Sequence, residues 1–90
     1  MQRADFEARL GNTYTVELEG GGPTLTLAEV QATPTGMRDG GAFSAVFEGP
    51  DGTDLPQAIY RLTAEGDELE IFLVPIGPFG KGLGFEAVFT

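Results

Sequence analysis

"TLTLAEVQA", residues 24–32, is the stretch on which the fold turns. Leu25 and Leu27 lie two apart and share one side of an extended chain, but Val30 falls on the opposite parity. A regular strand that buried the two leucines would expose the valine. One extra residue near Ala28–Glu29 restores the phase. Such a bulge also bends and twists its strand, so this stretch predicts a curved sheet of the kind a barrel requires.

The same period of two runs through most of the chain. In "TYTVELE" (13–19), Tyr14, Val16 and Leu18 alternate with Thr15, Glu17 and Glu19, giving one buried and one wet face. "GGGP" (20–23) is a turn, and "TPTGMRDGG" (33–41) reads as a loop. "AFSAVFE" (42–48) places Phe43, Ala45 and Phe47 on one face, with Ser44, Val46 and Glu48 on the other. "QAIYRLT" (57–63) buries Tyr60 and Leu62 and exposes Arg61, and "AEGDE" (64–68) is a tight hairpin signal. "LEIFLVPI" (69–76) begins by alternating and becomes apolar on both faces at Phe72 and Val74. A glycine-rich loop, 77–84, leads to "FEAVF" (85–89), where Phe85, Ala87 and Phe89 oppose Glu86 and Val88.

The one predicted helix is "ADFEARL" (4–10), with Phe6 and Leu10 at i and i+4 on one face and Gly11 as its stop. The chain of 90 residues is long enough for one domain, 1–90, without room for a second core. Its 41% hydrophobic content is too high for a disordered chain. Fourteen Gly and six Pro favour short strands joined by turns. These readings predict an all-β fold: an antiparallel meander of about six strands, curled into a small barrel or two-layer sandwich, with the helix plugging one end.

The net charge of −9 repels phosphate backbones and no basic cluster offsets it, which argues against a nucleic-acid partner. The N-terminus lacks the apolar core of a signal peptide and no stretch approaches a membrane span, so a cytoplasmic location is the default expectation. Export to the cell surface or to an extracellular fibre without a classical signal stays open.

The chemistry-bearing residues are few. The chain has no His and no Cys, and Ser44 is its sole serine. A serine–histidine triad, a Cys–His pair and a His-ligated zinc site are therefore impossible within one chain. In "GPDGTDLPQ" (49–57), Asp51 and Asp54 supply two carboxylates, well short of the 6–8 oxygens that calcium takes. Pro50 and Asp51-Gly52 are turn formers, and the stretch reads as a strand connection. "GPFGKGLG" (77–84) contains Gly80-Lys81, but glycine follows where a phosphate-binding loop needs Ser or Thr and then a helix. Glu17 with Glu19, and Glu68 with Glu70, share strand faces; their alternation with apolar residues marks solvated surface. No metal and no cofactor is expected.

"FSAVFEGP" (43–50), "LPQAIYRL" (55–62), "FLVPIG" (72–77) and "FEAVF" (85–89), in this order, resemble a family of short uncharacterised bacterial proteins. Its marks are a phenylalanine-rich strand ending in Gly-Pro, a Leu-Pro-Gln with a following Tyr, a Phe-Leu-Val-Pro run and a C-terminal aromatic strand. The resemblance is strong over about residues 43–90 and loose before them. It brings no catalytic residues. It implies an association with phage-tail-like collar and fibre proteins, and hence an assembly or surface-fibre role. Each motif also has a structural reading: Gly49-Pro50 ends a strand, Pro56 opens one, and Pro75 marks a bulge or an edge.

Two functions follow as expectations. The first is a non-catalytic structural or interaction module that contacts a protein, either itself or a fibre protein, through spare apolar surface. Phe72, Val74, Val46 and Val88 face away from the predicted core, and the loop 77–84 adds Phe79 beside Lys81, the only lysine. The terminal strand 85–89 also offers an edge for strand addition. The alternative is a small-molecule-binding barrel or a carboxylate-dependent enzyme, which needs space inside the barrel.

Overall fold

The computed structural model describes residues 3–32 and 42–89. The predicted loop at 33–41 therefore lies outside the described residues. Within them the chain forms helix α1 (Arg3–Glu7) and strands β1 (Thr13–Val16), β2 (Thr24–Ala32), β3 (Phe43–Gly49), β4 (Ala58–Ala64), β5 (Asp67–Phe79) and β6 (Gly82–Phe89). All strand pairs are antiparallel and the fold is all-β.

The bulge in β2 lies where the phase break requires it. Leu27 pairs with Phe47 and Glu29 with Val46, so Ala28 is the extra residue. Beyond it Val30 packs against the core that Leu25 and Leu27 enter from the other side of the bulge. A second register shift separates Pro75 from Gly77 in β5, as expected for a strand proline. The left-handed φ of Gly77, 88°, suits a residue without a Cβ.

The strands hydrogen-bond in a closed ring, β1-β2-β3-β6-β5-β4, with Thr15↔Thr63 and Val16↔Leu62 joining β1 back to β4. Two separate sheets do not occur, which decides between barrel and sandwich. The ring order also corrects the expected meander. β3 and β4 sit on opposite sides of the ring, and residues 50–57 cross the barrel end between them. The eight residues between β3 and β4 do not close a hairpin, and β6 is the neighbour of β3 instead. The stretch is a strand connection, and it also closes one end of the barrel, because Leu55 is buried in the core.

The opposite end is closed by α1. Phe6 is fully buried against Phe43 and Phe89, with ring centroids 5.7 and 5.0 Å away, and those two rings stack across β3 and β6 at 4.7 Å. The helix is shorter than expected. After Glu7 the chain tightens into i→i+3 hydrogen bonds, Arg9 to Phe6 and Leu10 to Glu7, which turn Leu10 off the Phe6 face and leave it exposed. β1 is likewise shorter than 13–19. Leu18 accepts from Gly21 N–H in a turn through Gly20 and Gly21, both at positive φ, and its side chain is exposed rather than buried.

The interior between the two plugs is filled by Tyr14, Val16, Leu25, Leu27, Phe47, Leu62, Leu73 and Phe85, each less than 2% exposed. This leaves the wall and the ends of the barrel as the places where another molecule can bind.

Candidate functional site

The outer wall of β4 and β5 carries apolar side chains where a solvated sheet face carries polar ones. Ile59 and Phe72 pair directly across these strands and are 67% and 49% exposed. Tyr60, Leu62, Leu69, Ile71 and Leu73 take the inward parity, so their neighbours Ile59 and Phe72 point outward. On β6, Val88 is 56% exposed opposite Ser44. Val74 is half-buried and pairs with Glu86, two residues before Val88 on the same face.

Charges border this strip. The Arg61 guanidinium, one strand step from Ile59, donates to Glu68 at 2.8 Å and to Glu70 at 3.3 Å. Glu68 and Glu70, considered above as a carboxylate pair, are thus engaged by one cation, which lies across the same two strands. Their negative charges in turn raise the Arg61 pKa, Glu68 most. Glu86 borders the strip on the β6 side. An apolar centre inside a charged rim is the usual anatomy of a protein contact.

Of the residues expected at a contact, the structure brings Phe72, Val74 and Val88 onto one outward-facing wall. Ile59 joins them; its shared parity with Arg61 is the signal that identifies it in the sequence. Val46 does not belong. It is only 5% exposed although it faces outward, in a row between Glu29 on β2 and Glu86 on β6.

Phe79 and Lys81 lie elsewhere. Seven residues along β5 place Phe79 about 23 Å from Phe72. The expected glycine-rich loop is mostly strand: β5 runs to Phe79, β6 begins at Gly82, and only Gly80 and Lys81 form the turn. Glu48 holds this turn, accepting the Lys81 backbone N–H at 3.1 Å. Phe79 is half-buried on the outer side above Gly84, where an added Cβ would come 2.8 Å from the Phe79 Cβ. A strand, not a helix, follows Lys81, so the phosphate-loop geometry is absent from this turn.

The expected free edge of the terminal strand is corrected in part: residues 85–89 all pair with β3, and Phe85 and Glu86 pair with β5 as well. In the crossing segment, Thr53 donates backbone N–H and side-chain hydroxyl to the Pro50 carbonyl at 3.1 and 2.6 Å, closing a turn around Asp51 and Gly52. Among the described residues no three His, Cys, Asp or Glu side chains converge as metal ligands, and no helix is long and apolar enough to cross a membrane.

Fold and surface together define a small closed antiparallel barrel with a filled interior and an apolar strip on its outer wall. The chain belongs to the DUF6916 family, a domain of unknown function, whose profile matches residues 1–89. No functionally described protein and no solved structure matches the chain.

Proposed function

We propose that this protein is a non-catalytic interaction module that docks onto a protein partner through the outer wall of β4, β5 and β6. The observation that carries the reading is the exposed cross-strand pair Ile59–Phe72, with Val88 on the neighbouring part of the wall. Large side chains left in water on a sheet face cost solubility, and a contact surface is the usual reason for them. The filled interior favours this reading over a ligand or substrate held inside the barrel.

The partner is a different protein with basic residues around an apolar centre. Two copies of this chain would each bring a net charge of −9 to a self-contact, and Glu68, Glu70 and Glu86 border the strip on both sides. The family resemblance supports a finer assignment, to the assembly of a bacterial fibre or phage-tail-like structure, either as a subunit or as an accessory.

Photo-crosslinking in producing cells tests the proposal. A photoreactive amino acid at position 59, 72 or 88 is expected to trap one and the same protein, and one at position 24, exposed on β2 across the ring from β5, is not. That protein, purified, should bind the unmodified chain more weakly as salt is raised. Equal crosslinking from position 24, or a trapped product that is a second copy of this chain, contradicts the proposal.

A further inference from the structure

The crossing segment leaves a cavity of about 170 Å³ at its end of the barrel. Leu55, Pro56, Pro75, Leu83 and Phe85 give it apolar walls and Asp54 is its one charged residue. Pro75 and Leu83 stand on inward-facing registers of β5 and β6, so the cavity is the mouth of the barrel itself. It is smaller than the roughly 300–1,000 Å³ of sites that enclose whole small ligands, and suits one side chain.

The walls are held in place before anything binds. The Tyr60 hydroxyl donates to the Pro56 carbonyl, and the Thr53 hydroxyl to the Pro50 carbonyl, fixing both ends of the segment that carries Asp54. Leu55 anchors its middle in the core. Among the described residues no hydrogen bond or ion pair occupies the Asp54 carboxylate. Its charge reaches Tyr60, whose hydroxyl is pushed up in pKa by burial first and by Asp54 second. An apolar cleft with one free carboxylate at its rim matches a methylene stem that ends in a cation.

We infer that the barrel mouth between residues 53–56 and the β5–β6 hairpin binds a lysine or arginine side chain presented by an extended segment of a protein partner. The inference shares the protein-contact reading of the outer wall but places a second, independent site at the end of the barrel. Charge complementarity selects the occupant: a carboxylate on a chain of net charge −9 attracts cations and repels acidic peptides, a second copy included. Preformed walls limit the ordering that binding requires.

The test is an amide-resolved NMR titration with a capped glycine–arginine–glycine tripeptide, its citrulline counterpart and butylguanidinium. Citrulline keeps the shape of arginine without the charge. The arginine peptide is expected to give saturable shifts at Thr53, Asp54, Gly77 and Gly84, with Asp54→Asn binding it about fivefold more weakly, the scale of an exposed ion pair. Asp51→Asn, on the same segment but outside the cavity, should leave the affinity unchanged. Strip variants such as Phe72→Glu should also leave it unchanged, so failure here and failure of the outer-wall reading are told apart. Equal binding of the citrulline peptide, an unaffected Asp54→Asn protein, or unsaturating shifts over Glu17, Glu68 and Glu70 would overturn the inference. Butylguanidinium, which carries the same stem and cation, is expected to shift the same four amides. Its failure to do so while the arginine peptide binds would show that the peptide backbone, not the side chain, is held, and would overturn the inference too.

Discussion

The Tyr14 hydroxyl donates to the Asp67 carboxylate at 2.6 Å, joining the start of β1 to the start of β5 across 53 residues of sequence. Asp67 also receives Arg9 at 2.7 Å, from the segment just after the helix, so one carboxylate ties the helical plug to the barrel wall. The Arg9 hydrogen bond, then that of Tyr14, lowers the Asp67 pKa from 3.8 to about 2. The same cluster raises the Tyr14 pKa, burial first and Asp67 second.

A pH dependence follows. Folding depresses this carboxylate, so its contribution is fully present above the unfolded-state value of 3.8 and is lost as pH falls through the folded value of about 2. With the pair partly open to solvent, that contribution is about 1–2 kcal/mol. Asp67→Asn should therefore lower the melting temperature at pH 7 and have much less effect near pH 2. An equal loss at both values would show that the carboxylate charge is not what matters.

The aromatic plug gives a second prediction. Phe6→Ala opens a cavity beneath Phe43 and Phe89 and should cost about 3–5 kcal/mol, read by urea denaturation. Leu10→Ala, at an exposed position, should cost less than about 0.5 kcal/mol. Similar losses for both would mean that the helix continues with Leu10 on the buried face.

The hairpin between β5 and β6 gives a third. A Cβ on Gly82 would come 2.0 Å from the Gly49 carbonyl oxygen, which is backbone and cannot give way. Gly82→Ala should cost more than about 3 kcal/mol, by separating β3 from β6. Gly21, at φ 92° with open space around it, should lose only about 1–2 kcal/mol on the same change. Equal melting temperatures for the two variants would contradict the close approach of β3 and β6.

Period-two alternation made the strands legible, and two local breaks in it, Ala28–Glu29 and Pro75, located both bulges. The ring order was not legible, because nothing local in "GPDGTDLPQ" states that its flanking strands lie on opposite sides of a barrel. Closure is a long-range property, and it pairs residues 85–89 with β3 and Phe85 and Glu86 with β5 as well. Exposure was partly legible. Phe72, Val74 and Val88 share one outer parity, whereas Val46 shares that parity and is buried all the same, as is Ser44 beside it on β3, which alternation alone does not show. Leu10 was misread because a single tightened turn shifts its direction, and an i, i+4 pattern cannot show that.

The apolar strip should be separable from stability. Ile59→Ser and Val88→Lys remove exposed side chains and should each cost less than about 1 kcal/mol, the scale of one cross-strand pair. A collapse of the melting temperature in Val88→Lys would place that residue in the core and remove it from the contact surface.

The most direct measurement is the affinity of the Phe72→Glu protein for the partner trapped from positions 59, 72 and 88, set against that of the unmodified chain. The account predicts about thirtyfold weaker binding, since a buried aromatic anchor supplies about 2 kcal/mol or more of a protein contact. Unchanged affinity, in a protein that still folds, would contradict the claim that this wall is the docking surface.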